Sequence, residues 1–373
     1  GGGHRAVAVQ MRGGGGRGGV EDVVVHYVTQ GTISRHAARS TTAGMRPYAY
    51  TPHRDKIVFC RGSDAFLLTG SIDGEIVFSS VRDHSAPPRI LQRWFVPEVT
   101  SCALGPAQDG HMCLAIGGPK GDVYVVRVNI DEDTVRQQAL HAIPTENKTR
   151  IIDVAMAGDD CVAVAFADAQ IVIFRLDAHL RSRPVFTWNS PPKRLCMYTK
   201  IYLRRVGDQS LLKLDAISSG GMYLKLSIDE ETMEVTSTED WLIDKAALTA
   251  IARSGEITVI GSDSGSIFVF RDGSQEPIAR MRDVHVTQIT DIAIDDSRPD
   301  RLSIVTVGMD CALNVLRFEE DKLTTHEHSA IFAVNDPSSV HILRRTSAEE
   351  VEGTANVDST TSVIVAGSGV QVL

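Results

Sequence analysis

Several features that would assign a chemical activity are absent from this chain of 373 residues. No run of about 18 apolar residues occurs, so no segment has the length and hydropathy of a membrane-spanning helix. The six cysteines occur singly and form no C-x-x-C pair, which argues against both the usual zinc spacings and a disulfide framework. Neither a Gly-Lys-Ser/Thr phosphate loop nor a G-x-S-x-G nucleophile elbow is present. These absences predict a protein that is not an enzyme.

Positive charge and aromatic residues are also scarce. Lys and Arg number 38 against 47 Asp and Glu, which gives a net charge of -9. A nucleic-acid binder would need an excess of cations to neutralise phosphates, so we expect no nucleic-acid partner. Three tryptophans are too few for a platform that stacks single-stranded bases.

What the chain does contain is a repeated unit of two short apolar strands joined by a Gly-, Asp- or Ser-containing turn. Strands rich in β-branched residues around such turns are typical of β-hairpins. The clearest copies are residues 66–78 (FLLTGSIDGEIVF), 113–125 (CLAIGGPKGDVYV), 257–270 (ITVIGSDSGSIFVF) and 304–315 (IVTVGMDCALNV), with weaker ones at 162–174 and 212–226.

The turns recur at intervals of roughly 40–50 residues, the period of four-stranded propeller blades. The sequence therefore predicts an all-β fold, a β-propeller of degenerate WD-repeat type with seven blades. Eight blades remain the alternative, because counting the turns at Gly16 and Gly367 gives eight candidate hairpins. Two stacked β-sandwiches would also contain short strands, but their turns should lack the longer period.

The same period predicts one propeller domain over residues 1–373. Stretches rich in Ser, Thr, Pro or charged residues near 34–54 and 345–361 are interpreted as irregular insertions.

A more specific likeness covers residues 195–318 and the N-terminal loop. Residues 285–294 (HVTQITDIAI) resemble the segment His-x-x-x-Val-Thr-Asp-Val-Ala-Phe of the prolactin regulatory element-binding protein family, which are guanine-nucleotide exchange factors of the ER membrane. The run at residues 13–22 (GGGGRGGVED) resembles the Gly-rich loop that follows the first strand in that family.

The resemblance implies a membrane-tethered propeller on the cytosolic face of the endoplasmic reticulum. Such a propeller activates the small GTPase that initiates COPII coat assembly, and its loop binds a potassium ion and presses on the nucleotide site. The residues that would face the GTPase are Gly13, Gly14, Gly15, Gly16, Arg17, Gly18, Gly19, Val20, Glu21 and Asp22. Attachment to the membrane would require a segment that this chain does not include.

Glycines suit that task physically, because they adopt positive φ and allow a close backbone approach to a crowded phosphate site. The same run is also typical of a plain surface loop. This loop is shorter than the family's and has Glu21 and Asp22 where the family has an asparagine. These differences favour an alternative function, a cytoplasmic WD-repeat scaffold that binds proteins in a larger complex.

Other groupings carry weaker signals. His326 and His328 have strand spacing that places both imidazoles on one face, but no third ligand lies nearby, so no metal site is predicted. The acidic runs at residues 131–133 and 229–231 are interpreted as exposed loops.

Overall fold

A computed structural model describes residues 4–12, 22–29, 32–37, 53–63, 66–80, 89–107, 110–131, 134–191, 196–207, 210–298, 301–330, 336–346 and 359–368. Every regular element in these ranges is a β-strand, and the 29 strands form seven antiparallel sheets. None of the described residues forms a helix that could cross a membrane. The Cα positions divide into two compact units, Gly1–Trp94 with Thr290–Leu373 and Phe95–Ile289.

Three sheets belong to the first unit. The five-stranded sheet has the order β28-β29-β1-β2-β3 and combines both ends of the chain. Its strands are β1 (His4–Arg12), β2 (Asp22–Thr29), β3 (Thr32–Ala37), β28 (Asp336–Thr346) and β29 (Ser359–Ser368). The other two sheets contain β4 (Ile57–Ser63), β5 (Phe66–Ser71), β6 (Glu75–Ser80) and β7 (Arg89–Phe95), and β24 (Ile289–Arg298), β25 (Arg301–Gly308), β26 (Ala312–Glu319) and β27 (Lys322–Ala330).

The second unit contains four sheets of four consecutive strands each. The first two contain β8 (Ser101–Leu104), β9 (His111–Gly117), β10 (Val123–Ile130) and β11 (Val135–Ile143), then β12 (Ile151–Ala157), β13 (Cys161–Phe166), β14 (Gln170–Leu176) and β15 (Ser182–Asn189). The last two contain β16 (Tyr198–Arg205), β17 (Leu211–Ser218), β18 (Met222–Asp229) and β19 (Val235–Leu242), then β20 (Leu248–Ser254), β21 (Ile257–Ser262), β22 (Ile267–Arg271) and β23 (Ala279–Met281).

The two terminal hairpins inferred from glycine turns do not form separate sheets. Gly367 lies inside β29, opposite Arg5 of β1, and β29 also pairs with β28. The described residues therefore contain seven sheets, because the N-terminal and C-terminal strands share one. Of the two stretches interpreted as insertions, residues 38–52 and 347–358 lie outside the described residues, while β3, β28 and β29 occupy their ends. The single-domain interpretation stays a prediction.

The cores of the second unit lie between successive sheets. One of them joins Ala163, Ala165 and Ile173 of the β12–β15 sheet to Leu214 and Leu226 of the β16–β19 sheet. Strand β13 is buried at all six positions because a sheet packs against each of its faces. This packing explains why the second and third strands of the repeat are apolar on both faces.

Side chains at the start of the first strands connect neighbouring sheets within each unit. In the second unit the Thr199 hydroxyl donates to the Leu248 carbonyl at 2.5 Å, and the Asp153 carboxylate accepts from the Ile201 N–H at 3.0 Å. In the first unit Asp291 accepts from the Val340 N–H at 2.9 Å. These side chains satisfy backbone N–H and C=O groups that have no partner in the ladder of their own sheet.

Candidate protein-binding surface

The Gly-rich loop that the sequence singles out lies almost wholly outside the described residues. Positions 13–21 are not described, and Asp22 begins β2 opposite Arg12, the last residue of β1. Residues 13–21 therefore lie in the chain between two strands that pair with each other. Their proposed contact with a GTPase and their proposed potassium ion stay predictions.

The second segment behind the resemblance has a structural role in its own chain. His285 is buried, with 2% of its surface exposed. The Thr290 hydroxyl donates to the Val307 carbonyl at 3.2 Å inside its sheet. The Asp291 carboxylate also accepts from the Ser339 hydroxyl at 3.0 Å and lies 3.4 Å from the Arg61 guanidinium. The Thr-Asp pair thus stabilises blade-like sheets, so its presence alone does not assign an exchange activity.

One edge of each sheet in the second unit is formed by the turn after the second strand and the loop after the fourth. Backbone hydrogen bonds connect this turn and this loop; for example, the Ile243 N–H donates to the Gly221 carbonyl at 2.9 Å. Further bonds link that loop to the next sheet, because the Asp263 N–H donates to Ala247 at 2.9 Å. These loops therefore form a hydrogen-bonded platform, which we call the loop edge.

Val286 is the most exposed large apolar residue on this loop edge, with 91% of its surface accessible. Its loop is fixed by the N–H groups of Val284 and His285, which donate to the Gly265 carbonyl at 3.0 and 3.2 Å. The buried His285 anchors the same loop from below. The backbone that carries this aliphatic side chain is therefore held by hydrogen bonds, which lowers the entropic cost of ordering the loop on binding.

Leu242 is the last residue of β19, directly before the neighbouring loop, and is 57% exposed. Ser264 lies in the same turn as Gly265, to which the Val286 loop is bonded. Its hydroxyl donates to the Asp244 carboxylate of the loop after β19 at 3.4 Å, so this turn links the two loops. The same loops and turn expose charged residues of both signs, namely Lys245, Asp263, Arg282 and Asp283. An apolar centre with a mixed polar rim is the composition of a protein–protein interface.

The first unit exposes apolar residues in the equivalent turns of its own sheets. Ile72 lies between β5 and β6 with 46% of its surface exposed, and Met309 lies between β25 and β26 with 44% exposed. Both follow the second strand of a four-stranded sheet, which places them at the loop edge of their unit.

A hydroxyl–imidazole–carboxylate relay does occur, but it is buried. The Nε2 atom of His53 lies 2.8 Å from the Thr69 hydroxyl, and its Nδ1 atom lies 3.0 Å from the Glu75 carboxylate. Thr69 is 2% exposed and His53 is 1% exposed, so no substrate reaches the hydroxyl. The relay holds the segment before β4 against β5 and β6, and its arrangement is structural.

Four of the six cysteines are also buried, whereas Cys196 and Cys311 are half-buried. Burial raises the pKa of the Cys60 and Cys161 thiols to about 12, so neither forms a thiolate at neutral pH. Among the described residues no three His, Cys, Asp or Glu side chains group as metal ligands, and His328 lies where side chains are not described.

Sequence reasoning did not identify Val286 and Leu242 as surface residues. Val286 follows buried His285 inside the segment chosen for its family likeness, and Leu242 ends an alternating strand. The only sequence signal for their exposure is their place in the repeat: Leu242 ends a fourth strand, and Val286 lies in the loop that follows one.

Comparison with known proteins gives a structural relative only. No protein-family model matches the chain, and no curated protein matches it. The crystal structure of Saccharomyces cerevisiae Sqt1 superposes with a TM-score of 0.61 at 13% sequence identity, over 92% of this chain and 90% of that chain. The all-β fold of four-stranded antiparallel sheets is consistent with a WD-repeat β-propeller. At 13% sequence identity this similarity establishes the fold and does not assign a function.

Proposed function

We propose that the chain is a non-enzymatic WD-repeat propeller that binds a protein partner through its loop edge. The observation that carries the proposal is the exposure of Val286 and Leu242 at loops of the loop edge that hydrogen bonds connect. Burying a valine or leucine side chain contributes about 1.5–3 kcal/mol. Two such residues on a preorganised surface supply the apolar centre of an interface.

The test compares proteins that cross-link to the wild-type chain with those captured by the Val286→Asp/Leu242→Asp double variant. We expect a defined partner to be lost, and calorimetry with that purified partner should show at least a tenfold weaker affinity, equivalent to about 1.4 kcal/mol. Leu140→Asp is the matched control, because Leu140 is 46% exposed on β11, away from the loop edge. Equal binding by both variants would reject the loop edge as the interface.

A second candidate function is guanine-nucleotide exchange on the small GTPase of the COPII coat, at the cytosolic face of the endoplasmic reticulum. It is favoured by the position of residues 13–21 between β1 and β2 and by the likeness of residues 285–294. An exchange factor binds the nucleotide-free GTPase more tightly, and by linkage it weakens nucleotide binding by the same factor. The glycines would let the loop enter the nucleotide site, and its carbonyls could hold potassium.

Release of labelled GDP from the purified GTPase tests this second function. Micromolar wild-type protein should accelerate release, and deletion of residues 13–19 should abolish the acceleration. The Val286→Asp variant should retain it. No acceleration by the wild-type protein would leave the scaffold function standing alone.

The number of blades is part of the proposal. Seven separate sheets favour a ring of seven blades, with the five-stranded sheet as the blade that joins the chain ends. A crystal structure with eight radially arranged sheets would contradict it.

A further inference from the structure

Strand β19 forms the outer edge of the third sheet in the second unit. It is the last strand in the order β16-β17-β18-β19 and pairs with β18 alone. The four residues 235–238 are all exposed, and Leu242 is exposed at its other end. An edge strand with a solvent-facing backbone is a template to which another strand can add.

The direction of the free backbone groups follows from the pairing with β18. The Ile243 N–H donates inward to Gly221 at 2.9 Å, and Tyr223 pairs with Trp241 in the same register. Because N–H groups alternate between the two sides of a strand, those of Thr238 and Leu242 point away from β18. They form part of the open edge.

The other outer strands of this unit carry features that block strand addition. Strand β15 contains Pro184 and Arg183, and β23 is only three residues long with Arg280 at its centre. Strand β11 contains Arg136. Proline, cations and short length are the usual protections of a sheet edge. Strand β19 (VTSTEDWL) has none of these three; its charged residues are the acidic Glu239 and Asp240, and its pairing with β18 shifts register once, between Ser227 and Ile228.

The chain around β19 is strongly acidic. Residues 226–244 contain no Lys or Arg, and their acidic residues are Asp229, Glu230, Glu231, Glu234, Glu239, Asp240 and Asp244. Glu230 is neutralised by Arg205 and Arg175. Glu231 and Glu234 are exposed and form no ion pair with the described residues. This charge selects a cationic occupant and repels phosphate-bearing ones.

We propose that β19 accepts a cationic, extended polypeptide segment as an additional antiparallel or parallel strand. Main-chain hydrogen bonds to the open edge supply affinity, and the carboxylates beside it select Lys or Arg. This surface shares only Leu242 with the loop edge, and the inference does not depend on the proposed function.

The experiment uses a fluorescent peptide of alternating Lys and Val residues and measures its anisotropy with the full chain. The wild-type protein should bind it, and Thr238→Pro should weaken binding at least tenfold by removing an outward N–H without removing a bond to β18. The matched control is Thr187→Pro on β15. Thr187 is also exposed, and its N–H also points outward, because the Ser190 N–H donates inward to Ala169.

Three further arms decide the mechanism. A peptide N-methylated on alternate residues should not bind the wild-type protein, and this result does not depend on whether any variant folds.

The Glu231→Gln/Glu234→Gln variant should bind the peptide more weakly, with a smaller salt dependence. The control variant Glu256→Gln/Glu276→Gln should bind as the wild type does. Val286→Asp should leave peptide binding unchanged, which separates this surface from the loop edge. Absence of wild-type binding, or equal binding of the N-methylated peptide, would overturn the proposal.

Discussion

At the scale of single residues, Gly265 and Gly273 show two different reasons why a turn requires glycine: positive φ and the close approach of another backbone segment. Both have positive φ, at 75° and 80°. A Cβ atom on Gly265 would overlap the carbonyl oxygen of His285, whereas one on Gly273 would meet nothing within 4 Å. The close approach at Gly265 exists because the Val286 loop hydrogen-bonds directly to it.

This contrast gives a matched pair of variants. Gly273→Ala should lower the free energy of unfolding by about 1 kcal/mol, the usual cost of alanine at positive φ. Gly265→Ala should lower it by several times more, because the His285 carbonyl must move as well. Urea denaturation of both variants measures the difference, and equal losses would show that the loop relaxes freely.

Glu230 provides a second residue-scale prediction. Hydrogen bonds from Arg205 hold the pKa of Glu230 below its ordinary value of about 4.5. A depressed pKa means that the carboxylate stabilises the fold above the unfolded-state pKa and loses that effect as pH falls through the folded-state pKa. Glu230→Gln should therefore destabilise the protein at pH 7 by about 1 kcal/mol, and the difference from wild type should shrink below about pH 4.5.

The neighbouring Glu231→Gln variant is the control, since Glu231 is exposed and forms no ion pair with described residues. Its stability should follow the wild-type pH profile. A Glu230→Gln difference that stays constant from pH 7 to pH 3 would contradict the ion-pair explanation.

At the scale of elements, the first strands depend on side-chain bonds to the next sheet. Asp153 is buried on β12 and accepts the Ile201 N–H of β16. Removing the carboxylate leaves that N–H without an acceptor in a buried position, which costs about 1–3 kcal/mol. We expect Asp153→Ala to lower the free energy of unfolding by that amount.

Thermal and urea unfolding measure this effect against Asp263→Ala. Asp263 is an exposed aspartate in the turn between β21 and β22, and its variant should change stability by less than about 0.5 kcal/mol. Similar losses in the two variants would mean that the connection between β12 and β16 does not depend on Asp153.

At the scale of the whole molecule, the first unit is completed by strands from both ends of the chain. Strand β1 lies between β29 and β2, with registers that run from His4 opposite Ser368 to Arg12 opposite Asp22. Contacts so distant in sequence form late and carry a large loop-closure cost, so their stability depends on both termini.

Deleting residues 1–12 should consequently lower the melting temperature and expose β29 to amide hydrogen exchange. Deleting residues 1–3, which precede β1, should have little effect. Unchanged exchange at β29 in the longer deletion would show that this strand is held by β28 alone.

The sequence by itself determined the repeating hairpins. The turn at residues 262–266 joins β21 to β22 because glycine, serine and aspartate favour tight turns and β-branched residues favour the strands beside them. These are local preferences, so they can be read from a short window. The recurrence of the hairpins then indicated the WD-repeat propeller class that the structural relative supports.

Only the tertiary structure decided how the ends join and which apolar residues remain outside. Gly367 suggested a turn but lies within β29, because pairing with both β28 and β1 outweighs its weak strand propensity. Val284 and Val286 are the same residue type on either side of His285, but Val284 is half-buried and Val286 faces solvent, because the backbone of Val284 and His285 is hydrogen-bonded to Gly265. Burial depends on contacts between residues far apart in the chain, and no local pattern encodes them.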